Sequence, residues 1–178
     1  MSETNDHPSD DRREVERMEL THIDDEGKAR MVDVGEKKET HREARAYGQV
    51  TMSGATYSVV KTGQGPKGDI FTVAKIAGIM GTKKTHELIP LCHPLLLTHI
   101  DVDYSFDDKK HTIGITSTVQ TKGQTGVEME AINCVMVVAL TIYDMCKAID
   151  KGIELGPFYL LEKSGGKSGR FVRKSRNP

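Results

Sequence analysis

Little in this sequence advertises a partner. Lys and Arg number 25 against 26 Asp and Glu, a net charge of −1, so the whole molecule has no field to draw in nucleic acid or an anionic membrane, and any polyanion site must be a local cluster. Its three cysteines, Cys92, Cys134 and Cys146, lack CxxC spacing. The amino terminus, MSETNDHPSDD, is acidic and polar where a secretory signal is basic and then apolar. Both features point to a reducing cytoplasm. The longest apolar stretch, residues 131–142, is interrupted by Asn133 and Thr141 and falls short of the roughly 18 residues a membrane span needs. No internal repeat shows at periods of about 20 to 50 residues.

What is present fits one domain of 178 residues with ragged ends. Residues 1–30 hold ten acids and five bases, and residues 162–178 hold one acid and six bases, so charge is segregated although it cancels. Residues 1–18 have no apolar period and read as a disordered polar extension. Residues 19–163 read as one catalytic α+β domain, and 164–178 as a mobile Gly/Ser/basic segment.

Within the domain, residues 43–52 alternate as a strand, Ser53-Gly54 is a break, and the segment to Val60 is ambiguous. Apolar residues then recur at helical spacing over 70–80 with Asp69 at the N-cap, and a second short helix over 82–88 stops at Pro90. Residues 98–106 and 112–121 alternate around a polar turn, a hairpin. The apolar segment 127–149 is long enough for a buried helix, and 153–161 makes a last strand whose Gly156-Pro157 suggests an edge. The order βαββαβ is that of a ferredoxin-like fold, an antiparallel sheet with helices on one face.

Several clusters invite chemistry. Asp144 and Lys147 are three apart on the long helix, so their side chains meet, and beside a core they form an acid/base pair with shifted pKa values. Glu130 lies about 40° away from Asp144 in azimuth and about 21 Å along the axis. Glu128 and Glu130 both enter the first turn of that helix, where capping explains one acid better than two. Leu91-Cys92-His93-Pro94 sits in a loop between rigid elements; with His86 and His99 nearby it offers zinc ligands, but at a spacing that matches no common site. Ser164-Gly165-Gly166-Lys167-Ser168-Gly169 suggests a phosphate loop, yet a Walker motif would need glycine at Leu161 and a helix for which only ten residues remain. A basic loop folding over phosphates is the better reading. Lys67, at the start of a helix, also favours an anion. As a non-catalytic RNA-binding module of the same fold, the hairpin offers only Tyr104 and Phe106 for stacking.

The runs KGDIFTVAKIAGI, LIPLCHPL, TGVEMEA, ALTIYDMCKA and LLEKSGGKSG, with LTHID and MVDV before them, resemble the cyclic pyranopterin monophosphate synthase family of molybdenum-cofactor biosynthesis over residues 20–169. The resemblance implies a lyase that takes a 3′,8-cyclised dihydro-GTP made by a radical enzyme, forms the pterin and a cyclic phosphate, and releases pyrophosphate. It implies a homohexamer, a trimer of dimers with active sites between subunits, and no required redox cofactor; a divalent metal accompanying the phosphates stays open, with no dedicated carboxylate cage. Catalytic roles carry over to Lys67, Asp144 and Lys147. Substrate-binding roles carry over to Leu91, Cys92, His93, Glu128, Met129, Glu130, Lys163 and Lys167. Two lysines facing one site are expected to lower each other's pKa, leaving one a base near neutral pH.

Overall fold

The computed structural model describes residues 26–65 and 68–174. The chain divides into two units after Asp33. The described part of the first is residues 26–33, with a Lys28–Glu26 ion pair of 2.6 Å. The second begins at Val34 and holds the strands and helices from Thr40 onward.

Strand β1 (Thr40–Thr51) alternates along its length: Ala44, Ala46 and Val50 point into the core, while Glu43, Arg45, Tyr47 and Gln49 face the other way. That period of two is what a half-buried strand requires. The ambiguous segment after it is helix α1 (Gly54–Lys61), started by Ser53, whose hydroxyl accepts from the Thr56 N–H, and fixed in the core by Tyr57 and Val60. Two-residue strands β2 (Gln64–Gly65) and β3 (Gly68–Asp69) lead to α2 (Ile70–Lys83). Asp69 is its N-cap, accepting from the Thr72 N–H at 3.0 Å. Short helix α3 (Thr85–Leu88) precedes the hairpin of β4 (Leu97–Asp107) and β5 (Thr112–Gly123). Helix α4 (Glu128–Cys146), β6 (Glu154–Leu155), β7 (Tyr159–Ser164) and β8 (Phe171–Val172) complete the chain.

The sheet runs β4-β5-β1-β7-β8, with β6 also on β1 and every pairing antiparallel. With α2 and α4 on one face this is the expected ferredoxin-like α+β arrangement. Two expectations need correction. The single last strand over 153–161 is two strands, because Gly156 at φ +108° and Pro157, joined by a cis peptide bond, take the chain off the ladder. The long helix is 19 residues, so by length and composition it does reach what a membrane span needs; half of it is instead buried, with Ala131, Val135, Val138 and Ile142 facing the sheet and core.

Two glycines set how closely these layers approach. At Gly48 of β1 a Cβ would stand 2.6 Å from the Phe158 ring, and at Gly78 of α2 it would run into a methyl of Val138. The Asn133 amide of α4 donates to the Gly81 carbonyl at 2.9 Å, and the Ser117 hydroxyl of β5 donates to the Ala131 carbonyl at 2.8 Å. The helix therefore has a fixed height and rotation over the sheet.

Candidate active site

Helix α4 follows Val127, an N-cap residue that offers no side-chain hydrogen bond. Its first turn instead carries Glu128 and Glu130, where the positive end of the helix dipole favours acids. Glu128 folds back over Gly126, where any Cβ would overlap its carboxylate. From there it accepts a hydrogen bond and ion pair from Lys163 of β7 at 2.6 Å. Met129 between them is exposed. Glu130 is only 4% exposed, the one buried charged residue among those described. Apart from its own backbone N–H, no hydrogen bond or ion pair reaches its side chain among the described residues. Burial first, and the Glu128 charge after it, push its carboxyl up to about 7.

The loop over residues 89–96 closes on this end of the helix. It is turned by the Cys92 N–H donating to the Ile89 carbonyl at 3.0 Å and tied to β5 by the Thr121 hydroxyl on the Leu96 carbonyl at 2.6 Å. Leu91, Cys92 and His93 are half-buried in it. Burial and the Glu130 charge raise the Cys92 thiol above its ordinary range, so this cysteine is a protonated, weakly polar contact and not a thiolate nucleophile.

At the other end of α4, Lys147 and Asp144 pair at 2.6 Å, both about half exposed, as their spacing predicts. The hydrogen bond to Asp144 raises the Lys147 pKa, which reverses the lowering expected for the site lysines: the ammonium here has an acid, not a second cation, beside it. Fourteen residues separate Glu130 from Asp144, a rise of about 21 Å. One chain thus holds the expected residues in two groups, Cys92, Glu128, Glu130 and Lys163 at one end and Asp144 with Lys147 at the other. Between them Met136 and Leu140 stand exposed on the helix. Lys67 lies outside the described residues.

After Lys163 the chain turns at Gly165 and Gly166, both in the left-handed region at φ +99° and +71°. A side chain at 165 would overlap the His41 carbonyl, and one at 166 the Arg42 guanidinium. Arg42 in turn donates to the Gly123 and Gln124 carbonyls at 3.3 and 3.0 Å. Sequence reasoning missed Arg42, which stands one residue before the strand expected over 43–52; nothing local says that the glycine turn will come to rest on it. Lys167 is exposed at the turn. Beyond it β8 pairs back on β7, the Arg170 guanidinium reaches Glu162 at 3.1 Å, and that of Arg173 lies 4.4 Å from the Tyr159 ring centroid. Within the segment expected to be mobile, residues 171 and 172 are thus in a strand.

The hairpin aromatics turn toward α2, with Tyr104 4.8 Å and Phe106 5.6 Å from the Phe71 ring and the Tyr104 hydroxyl on the Phe71 carbonyl. They make no stacking platform on the open face of the sheet.

The profile of the MoaC family matches residues 31–166, most of the chain and every described site residue except Lys167. The chain belongs to the MoaC family. It is 56% identical to a protein of Pelotomaculum thermopropionicum over 155 residues, 87% of this chain and 91% of that one. It is also 56% identical to one of Roseiflexus sp. (strain RS-1), covering 86% and 98% of the two, and 50% identical to one of Geobacillus kaustophilus, covering 88% and 98%. All three relatives are named cyclic pyranopterin monophosphate synthase. The matched residues span strands β1 to β7, both main helices and both ends of α4.

Proposed function

We propose that this chain is a cyclic pyranopterin monophosphate synthase, converting a 3′,8-cyclised dihydro-GTP to cyclic pyranopterin monophosphate with release of pyrophosphate, an early step of molybdopterin cofactor formation. The observation that carries the reading is 50–56% identity across 86–88% of the chain to relatives of that name. In class it is a phosphorus–oxygen lyase working on a small molecule supplied by a radical enzyme. Three free cysteines suit a reducing cytoplasm. The reading requires no redox cofactor, and a divalent ion, if used, would enter with the phosphates.

The residues divide by chemistry. Lys163, Lys167 and Arg42 surround the glycine turn and would hold the triphosphate, whose several charges need local cations. Leu91, Cys92, His93, Glu128, Met129 and Glu130 would surround the heterocycle. Asp144, Lys147 and Lys67 would move protons, with Lys147 as the acid because Asp144 holds its proton on. For these groups to meet, a second copy must bring its Asp144 end to the Glu130 end of the first. A two-fold axis crossing α4 at the level of Val137 would do so, since 137 is midway between 130 and 144. The exposed Met136 and Leu140 of α4, with Val73, Ile76 and Met80 of α2, are the kind of apolar surface such contacts bury. A trimer of such dimers is the assembly we propose. Incubation with the cyclised intermediate should yield the cyclic phosphate and pyrophosphate in equal amounts; hydrolysis to a monophosphate, or no turnover, would refute the assignment.

A further inference from the structure

Helix α4 ends at Cys146, and Lys147 is its C-cap, the first residue beyond it. The Lys147–Asp144 pair therefore rests on backbone at the point where the chain leaves the helix. Three-residue spacing brings these side chains together only while Lys147 keeps helical dihedrals, as it does at φ −56° and ψ −20°. Helix ends fray, so something must hold this one. The chain curls back on the helix, the N–H groups of Ile149 and Asp150 donating to the Cys146 carbonyl at 2.9 and 3.1 Å. Asp150 then ties the curl down. One oxygen of its carboxylate accepts from the Ser53 N–H at 3.0 Å, and the other from the Gly152 N–H at 2.9 Å. An acid just past the C-terminus of α4 is opposed by the negative end of that helix, whereas at Ser53 the same carboxylate meets the positive end of α1. The Ser53 N–H, with the Gly152 N–H behind it, holds the Asp150 carboxyl below the ordinary carboxylate range, so it stays ionised through neutral pH.

We propose that Asp150 is a positioning residue for proton transfer: by clasping the exit of α4 to the start of α1, it keeps Lys147 in register with Asp144. This rests on the reading of Lys147 as the acid of the synthase reaction. Asp150 itself moves no proton and acts only through the backbone of residues 147–150. Displacing a reacting group by about 1 Å costs up to about 10²-fold in rate. Substrate affinity, assigned to Lys163 and the glycine turn, does not pass through the clasp. Loss of Asp150 should therefore separate rate from binding, which a general loosening of the fold would not do.

The test is a double-mutant cycle on the full chain, with single-turnover rates and dissociation constants measured for the cyclised intermediate. Asp150→Ala should lower the rate by roughly tenfold or more and leave the dissociation constant within about twofold of the parent. Asp150→Asn should recover most of the rate, because its amide oxygen still accepts from the Ser53 N–H. In a Lys147→Ala background, Asp150→Ala should change the residual rate by less than about twofold, since the group it positions is already gone. Amide hydrogen exchange should show faster exchange at Ser53 and over residues 147–150 in Asp150→Ala, at a temperature where circular dichroism finds the variant folded. A parental rate in Asp150→Ala, an equal loss with and without Lys147, or unchanged exchange over 147–150 would overturn the proposal. Failure of Asp150→Asn to fold would do the same, because a site that needs the full carboxylate to fold is structural. Turnover by the parent alongside any of these results leaves the enzymatic reading standing, whereas no turnover by the parent sinks that reading itself.

Discussion

Glu130 makes the folded protein sensitive to pH in a direction opposite to that of most acids. Its carboxyl ionises near 7 in the fold against an ordinary 4.5, so the folded state holds the extra proton. Stability from this group is full below about pH 4.5, declines as pH rises, and is lost above 7, a difference of about 3 kcal/mol. Glu130→Gln should therefore be more stable than the parent at pH 8 and no more stable at pH 4.5, measured by urea unfolding at both values. The lysines divide by role. Lys147→Ala should lower single-turnover rate by roughly 10²-fold or more with nucleotide affinity kept, the scale of lost acid catalysis. Lys163→Ala should weaken binding first, since it removes a cation at the glycine turn and leaves Glu128 half-buried without a counter-ion. Loss of binding with rate intact in the Lys147 variant would exchange these assignments.

At the scale of elements, the contact of α2 with α4 depends on glycine. Helix propensity alone predicts that alanine at Gly78 stabilises by about 1 kcal/mol. The added methyl would collide with Val138, and overpacking of this kind costs about 1–3 kcal/mol. We expect Gly78→Ala to be net destabilising in thermal unfolding. Strand β1, the hairpin and α2 were legible because alternation and helical spacing are local patterns. The segment of α1 was ambiguous because eight residues give too few periods, and its helix is decided by the Ser53 cap and by Tyr57 and Val60 reaching the core. The last strand was misread because its apolar run continues through Gly156-Pro157 while its hydrogen-bonding ladder does not.

For the whole molecule, the separation of the two groups on α4 is the feature with most consequence. If the site forms between copies, the solution mass is a multiple of 19.7 kDa, and inactive variants at opposite ends should complement. An equal mixture of Lys147→Ala and Lys163→Ala, refolded together, should recover about a quarter of the parental rate, because half the dimers are mixed and each mixed dimer has one intact site. Independent sites within each chain would give no recovery. A fully active monomer would refute the shared site outright.

The sequence by itself determined strand β1, helix α2, the β4–β5 hairpin and helix α4, the N-cap of α2, the Asp144–Lys147 pair and the strings that place the chain in its family. Each is local, set by side-chain period or by neighbours three residues apart on one helix. Only the tertiary structure decided that Lys163 reaches Glu128, that Arg42 lies under the glycine turn, and that Glu130 is buried with no cation beside it among the described residues. The Lys163–Glu128 and Arg42–Gly166 contacts join residues 35 and 124 positions apart, and a carboxyl's charge state depends on burial that no local pattern records.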